Sequence, residues 1–145
     1  MPNPLIDQGS LSLVRASVTW PSNSGLNVTA PYLAKAGIRL ALQGKSTLYL
    51  PTMTGAVTSQ EPFMMVDMTI HLLKSQSLSN QYKSQMESNA LMGNASVRSD
   101  AVSLGVYQLI NCAITGVREL DFSGQHEEFA VSIEGYYLCN ANLFN

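Results

Sequence analysis

Most of the chain is written in a period of two. Val14, Ala16, Val18 and Trp20 alternate with Leu13, Arg15, Ser17 and Thr19 until Pro21 stops the run. Ile38, Leu40 and Leu42 alternate with Arg39, Ala41 and Gln43. The longest such run is Phe63 to Leu73, with Met64, Val66, Met68, Ile70 and Leu72 on one face and Met65, Asp67, Thr69 and His71 on the other. Alternation of this kind predicts half-buried β-strands. Further strands are predicted at 47–50, 95–99, 107–119 and 127–139. In the last, Phe129, Val131, Ile133 and Tyr137 share a face opposite Glu128, Ala130, Ser132 and Glu134.

The pattern changes once. Leu78, Tyr82 and Met86 recur every four residues among polar ones, which predicts an amphipathic helix over 77–91 with Ser77 or Ser79 as N-cap. Two other segments fit neither period. Residues 1–10 read as an extended arm carrying Leu5 and Ile6, and 46–62 as a protruding hairpin or flap. A loop that long in a small domain is usually a contact or functional element. Residues 21–36 read as a loop with a short extended piece at 27–29. Connections this short exclude repeated βαβ crossovers, so the sheets are expected to be antiparallel. The fold class is therefore mainly β: an antiparallel β-sandwich or half-barrel with one α-helix, in a single domain over 1–145.

Composition narrows the function. Eight basic and ten acidic residues give a net charge of −2, which argues against a protein that grips nucleic acid. Only 12% of the 145 residues are charged while 46% are hydrophobic. A chain so poor in charge is expected to cover much of its surface by self-association. No stretch approaches the roughly 20 apolar residues that span a bilayer, and the opening residues lack the pattern of a signal peptide.

Candidate chemistry is sparse. Cys112 and Cys139 read as small apolar residues in strands, and no Cys/His spacing suits zinc. His71 shares a face with Asp67, but four positions along a strand separate them by about 13 Å. Glu128 and Glu134, six positions apart, are separated by about 20 Å. No nucleophile elbow, zincin motif, phosphate loop or EF-hand loop occurs. Asn27-Val28-Thr29 and Asn94-Ala95-Ser96 match the glycosylation pattern, and chance is the better account. The expectation is a structural protein, not an enzyme, with no catalytic, cofactor or metal residues.

The order of elements then carries a resemblance. A strand ending Val-Thr-Trp-Pro is followed by a flap leading into Pro-Phe-Met-Met-Val-Asp-Met-Thr-Ile. One helix opens in Ser-Leu-Ser-Asn-Gln-Tyr. A strand reading Tyr-Gln-Leu-Ile-Asn-Cys-Ala-Ile-Thr-Gly-Val-Arg-Glu pairs with one ending Val-Ser-Ile-Glu-Gly-Tyr-Tyr. Over residues 1–140 this resembles the tail tube proteins of contractile-tailed bacteriophages and their relatives in contractile injection systems. The resemblance implies homohexameric rings whose sheets complete one large β-barrel, stacked into a hollow tube within the virion tail and assembled in the host cytoplasm. It implies the tail sheath, baseplate and tail terminator proteins as partners, and DNA as transient cargo that is not specifically bound.

On that reading Asp67, Thr69, Glu128, Ser132 and Glu134 are candidates for the lumen, with His71 the one group on those faces able to become cationic. A ring of six chains would carry about −12, which repels a duplex. Leu5, Ile6, Leu50, Met53, Thr54 and Val57 are candidates for contact between rings. The alternatives are a baseplate tube-initiator ring and a monomeric β-sandwich binding module.

Overall fold

The computed structural model describes residues 15–101, 104–118, 122–140 and 142. The arm at 1–10, with Leu5 and Ile6, lies outside them, as does the start of the first predicted strand. Six strands form one antiparallel sheet: β1 (Ala16–Thr19), β2 (Leu33–Gln43), β5 (Phe63–Leu73), β6 (Leu91–Ser99), β7 (Tyr107–Arg118) and β8 (Glu128–Leu138), in the order β1-β6-β7-β8-β5-β2. Two more, β3 (Thr47–Pro51) and β4 (Ala56–Gln60), pair only with each other. Among the described residues a single α-helix, α1 (Ser77–Ser88), joins β5 to β6. The sheet curls until β1 and β2 approach each other without hydrogen-bonding, so it is nearly closed into a barrel.

The alternating pattern settles which face of each strand is inside. Val66, Met68, Ile70 and Leu72 of β5 are buried, and so are Phe129, Val131 and Ile133 of β8. The register pairs Met68 with Ile133 and Ile70 with Val131, so two apolar stripes meet side by side. The helix lays Leu78 and Tyr82 on the same core. Tyr82 is fully buried. Its hydroxyl accepts from Trp20 Nε1 at 3.0 Å and donates to the Leu26 carbonyl at 2.6 Å. That chain of bonds satisfies three polar groups that burial would otherwise leave costly.

Several boundaries differ from the expected ones, each for a local reason. The second strand begins at Leu33 because Gly37, at φ +68°, forms a bulge that breaks the period between Leu33 and Ile38. The flap contains two strands, since the polar run 56–60 pairs with 47–51. The helix stops at Ser88, three residues before the predicted end. Asn89 turns extended and its Oδ1 accepts the Leu91 N–H at 3.1 Å, which lets β6 begin at Leu91 opposite Ala113. Gln76, with no side-chain cap, takes the N-cap position; Ser79 instead donates to the Gln76 carbonyl. The segment 27–29 is extended as expected and bridges β1 through Val18 and Val28. Asn27 and Asn94 both serve as internal acceptors, Asn27 Oδ1 for the Trp20 N–H at 2.7 Å and Asn94 Oδ1 for the Asn111 N–H at 3.3 Å.

Neither cysteine is bridged. Cys112 is buried in β7, whereas Cys139 falls just past β8 and is partly exposed. Burial raises the Cys112 thiol to about 11.

Candidate assembly surface

The hairpin β3–β4 departs from the economy of the rest of the molecule. Its ladder pairs Leu48 with Ser59, Leu50 with Val57 and Tyr49 with Thr58. Directly paired residues share a face, so Leu48, Leu50 and Val57 lie on one side and Tyr49, Pro51 and Ala56 on the other. Both sides are open to solvent: Tyr49 is 68% exposed, Leu50 52% and Val57 55%. Met53 and Thr54 occupy the tip, with Met53 fully exposed. The tip is closed by a backbone bond from Thr52 N to Gly55 O at 2.8 Å and by Thr52 Oγ1, which accepts the Gly55 N–H. Residues 46–60 contain no charged side chain. A two-stranded hairpin of this kind is marginal in water by itself, and large apolar groups exposed together usually mark a contact surface.

Four of the six residues expected to meet another ring therefore sit on one exposed hairpin: Leu50 and Val57 cross-strand neighbours on one face, Met53 and Thr54 at the tip. Leu5 and Ile6 lie outside the described residues.

The five residues expected on the lumen also come together, on the outward face of β5 and β8. Asp67 stands directly opposite Glu134, and Thr69 opposite Ser132. Glu128 is opposite Leu73, and its Oε2 lies 3.4 Å from His71 Nδ1, though not in hydrogen-bond geometry. Thr69 is nearly covered, because Arg118 Nη2 donates to its Oγ1 at 3.1 Å. The expectation that His71 is the only group of this face able to carry positive charge is corrected here. The register puts Arg118 of β7 opposite Ala130 and Arg39 of β2 opposite Thr69, both on that same face. The cations were hidden in the sequence because a face is shared across four strands, and strand order is set by the tertiary fold.

A third feature is the unclosed seam. Between the edge of β2 and the β1–β6 pair lies a cleft of about 440 Å³, lined by Ile38, Leu40, Leu42, Val97 and Tyr107, with Lys35 and Arg98 at its margin. Its apolar walls are core-side residues left half open because β1 and β2 do not pair. Among the described residues no strand pairs with the outer edge of β2, a further set of backbone donors and acceptors.

Among the described residues no three His, Cys, Asp or Glu side chains are grouped so as to hold a metal ion. Among the described residues no helix is long and apolar enough to cross a membrane. Comparison of the sequence with protein-family models and with curated proteins finds no match.

Proposed function

We propose that this chain is the protomer of a self-assembling tube of the tail-tube type. Six copies close into a ring and the rings stack into a hollow conduit for DNA. The observation that carries this reading is the charge-free hairpin with apolar side chains bare on both faces. Its polar cover comes only from uncharged side chains such as Thr58 and Ser59, so a neighbouring copy could bury Tyr49, Leu50 and Val57 without desolvating a charge. The nearly closed sheet, whose two edge strands β1 and β2 do not pair among the described residues, supports the same reading, since neighbouring copies can complete a wall that a single copy leaves open. Head-to-tail contacts between unlike surfaces propagate without limit, whereas a symmetric pairing stops at two. In this reading the sheath, baseplate and terminator proteins are partners, the virion tail is the location, and the chain catalyses nothing. A tube-initiator ring uses the same contacts and differs in copy number per particle.

Negative-stain microscopy of the purified protein tests the proposal. The full chain forms rings or hollow rods. Deletion of residues 50–58 leaves the far-ultraviolet circular dichroism of a β protein but abolishes rods. A full-length chain that stays monomeric at high concentration overturns the tube reading in favour of a monomeric binding module, and rods from the deletion variant overturn the role of the hairpin.

A further inference from the structure

Two ladders meet end to end at the base of the hairpin without merging. The β2–β5 ladder finishes at Gln43 and Met65, and the β3–β4 ladder starts at Thr47 and Gln60. Between them Gly44, Lys45 and Ser46 on one side, and Glu61, Pro62, Phe63 and Met64 on the other, belong to neither, although Phe63 and Met64 pair with β8. Gly44 is at φ +87°, a left-handed conformation that glycine takes without strain. One backbone bond crosses this break, from Glu61 N to Ser46 O at 2.8 Å. That bond is the only backbone one between the two roots, so it does not by itself set the angle of the hairpin.

A residue from a distant part of the chain closes the gap. Asn140, just past β8, is at φ +51°, a conformation that asparagine tolerates better than most residues. Its side-chain amide carries two hydrogens and uses both. Nδ2 donates to the Ser46 carbonyl at 2.9 Å and to the Glu61 carbonyl at 2.7 Å, gripping both strands of the hairpin at once. Cys139 braces the grip: its backbone N–H donates to Pro62 O at 3.0 Å and its thiol to Glu61 O at 3.2 Å. The end of β8 is thereby tied to both roots of the hairpin.

We infer that Asn140 is a positioning residue that fixes the angle at which the hairpin leaves the body, so that the hairpin meets a second copy already oriented. The second half of this statement rests on the tube reading; the first does not. Orienting a contact element before it binds removes an entropic cost from association, so assembly should depend on Asn140 even though no surface needs to touch it.

Asn140→Gly tests the grip while keeping the backbone, because glycine accepts φ +51° and lacks only the amide. Asn140→Asp keeps the size but removes both donors and sets a carboxylate against two carbonyls. The measurements are hydrogen exchange of the Glu61 amide and the hairpin amides in dilute protein, the urea midpoint, and the rate of tube growth by light scattering. Each variant is expected to speed exchange at Glu61 and over 47–60 by about tenfold, the loss of one or two net hydrogen bonds. Exchange in β7 and β8 and the urea midpoint should hold, and tube growth should slow by a similar factor, more for Asp than for Gly. Hairpin exchange unchanged in both variants overturns the inference. Faster exchange with growth at the wild-type rate overturns the orienting role. Faster exchange in variants of a wild-type chain that itself never assembles retains the grip and overturns the tube reading instead.

Discussion

At the scale of single residues, close contacts identify positions that tolerate no enlargement. A Cβ on Gly135 would sit 2.8 Å from Cys112 Sγ and 3.2 Å from the Ile110 carbonyl oxygen. Gly135→Ala should therefore cost about 1–3 kcal/mol in urea unfolding, the usual range for overpacking. Cys112→Ala removes the sulfur but not the carbonyl, so the double variant should be less destabilised than the two single changes added together. The same thiol predicts a pH dependence. Its value rises from 9.0 to about 11 in the folded protein because burial disfavours the thiolate. Folded-state stability linked to Cys112 is thus fully present below pH 9 and is lost as pH rises through about 11, since the unfolded chain releases its proton first. Unfolding curves across that window should be shallower in pH for Cys112→Ala than for the wild type. Equal slopes would show that folding does not raise the Cys112 thiol.

At the scale of elements, α1 is held less by its own sequence than by what Tyr82 reaches. The helix has no side-chain N-cap and no acidic residue in its first turn. Its anchor is the Trp20–Tyr82–Leu26 chain, which ties the helix to the loop after β1. Tyr82→Phe keeps the ring but strands the Trp20 N–H and the Leu26 carbonyl in the core. At about 1–3 kcal/mol for each buried group left unpaired, the urea midpoint should fall clearly while the strand signal in circular dichroism persists. A variant as stable as the wild type would mean that water replaces the hydroxyl. The apolar stripe Leu78–Tyr82–Met86 was legible in the sequence because a period of four needs no partner to be seen. β5 was legible to the residue for the same reason: its alternation is unbroken from Phe63 to Leu73. The start of β2 was not, because Gly37 interrupts the period, and the first half of β6 was not, because the sequence predicts a helix running to 91 and the next strand beginning at 95. The role of Asn140 left no mark at all in the sequence, since its partners lie 94 and 79 positions away.

At the scale of the whole molecule, charge on the outward face of the sheet decides what could slide along it. Sequence placed Asp67, Glu128 and Glu134 on that face but missed Arg39 and Arg118, which only the strand order brings there. On the four strands β2, β5, β7 and β8, three carboxylates against two guanidiniums leave this part of the face acidic by a narrow margin. Arg118 is engaged with Thr69 and Glu128 lies against His71, whereas Glu134 is exposed and stands opposite a second carboxylate, Asp67. Replacing Glu134 by Lys removes that like-charge pair and turns the margin positive, an effect that the proposed ring of six would multiply. If this face lines the bore, tubes of Glu134→Lys should assemble normally and retain short duplex DNA at low salt. The retained DNA should be shielded from nuclease and released as ionic strength screens the phosphates. Wild-type tubes should retain none. Co-sedimentation with and without nuclease reads this directly: DNA bound to the variant but fully digested lies on the outside, which would move the acidic face from the bore to the exterior of the tube.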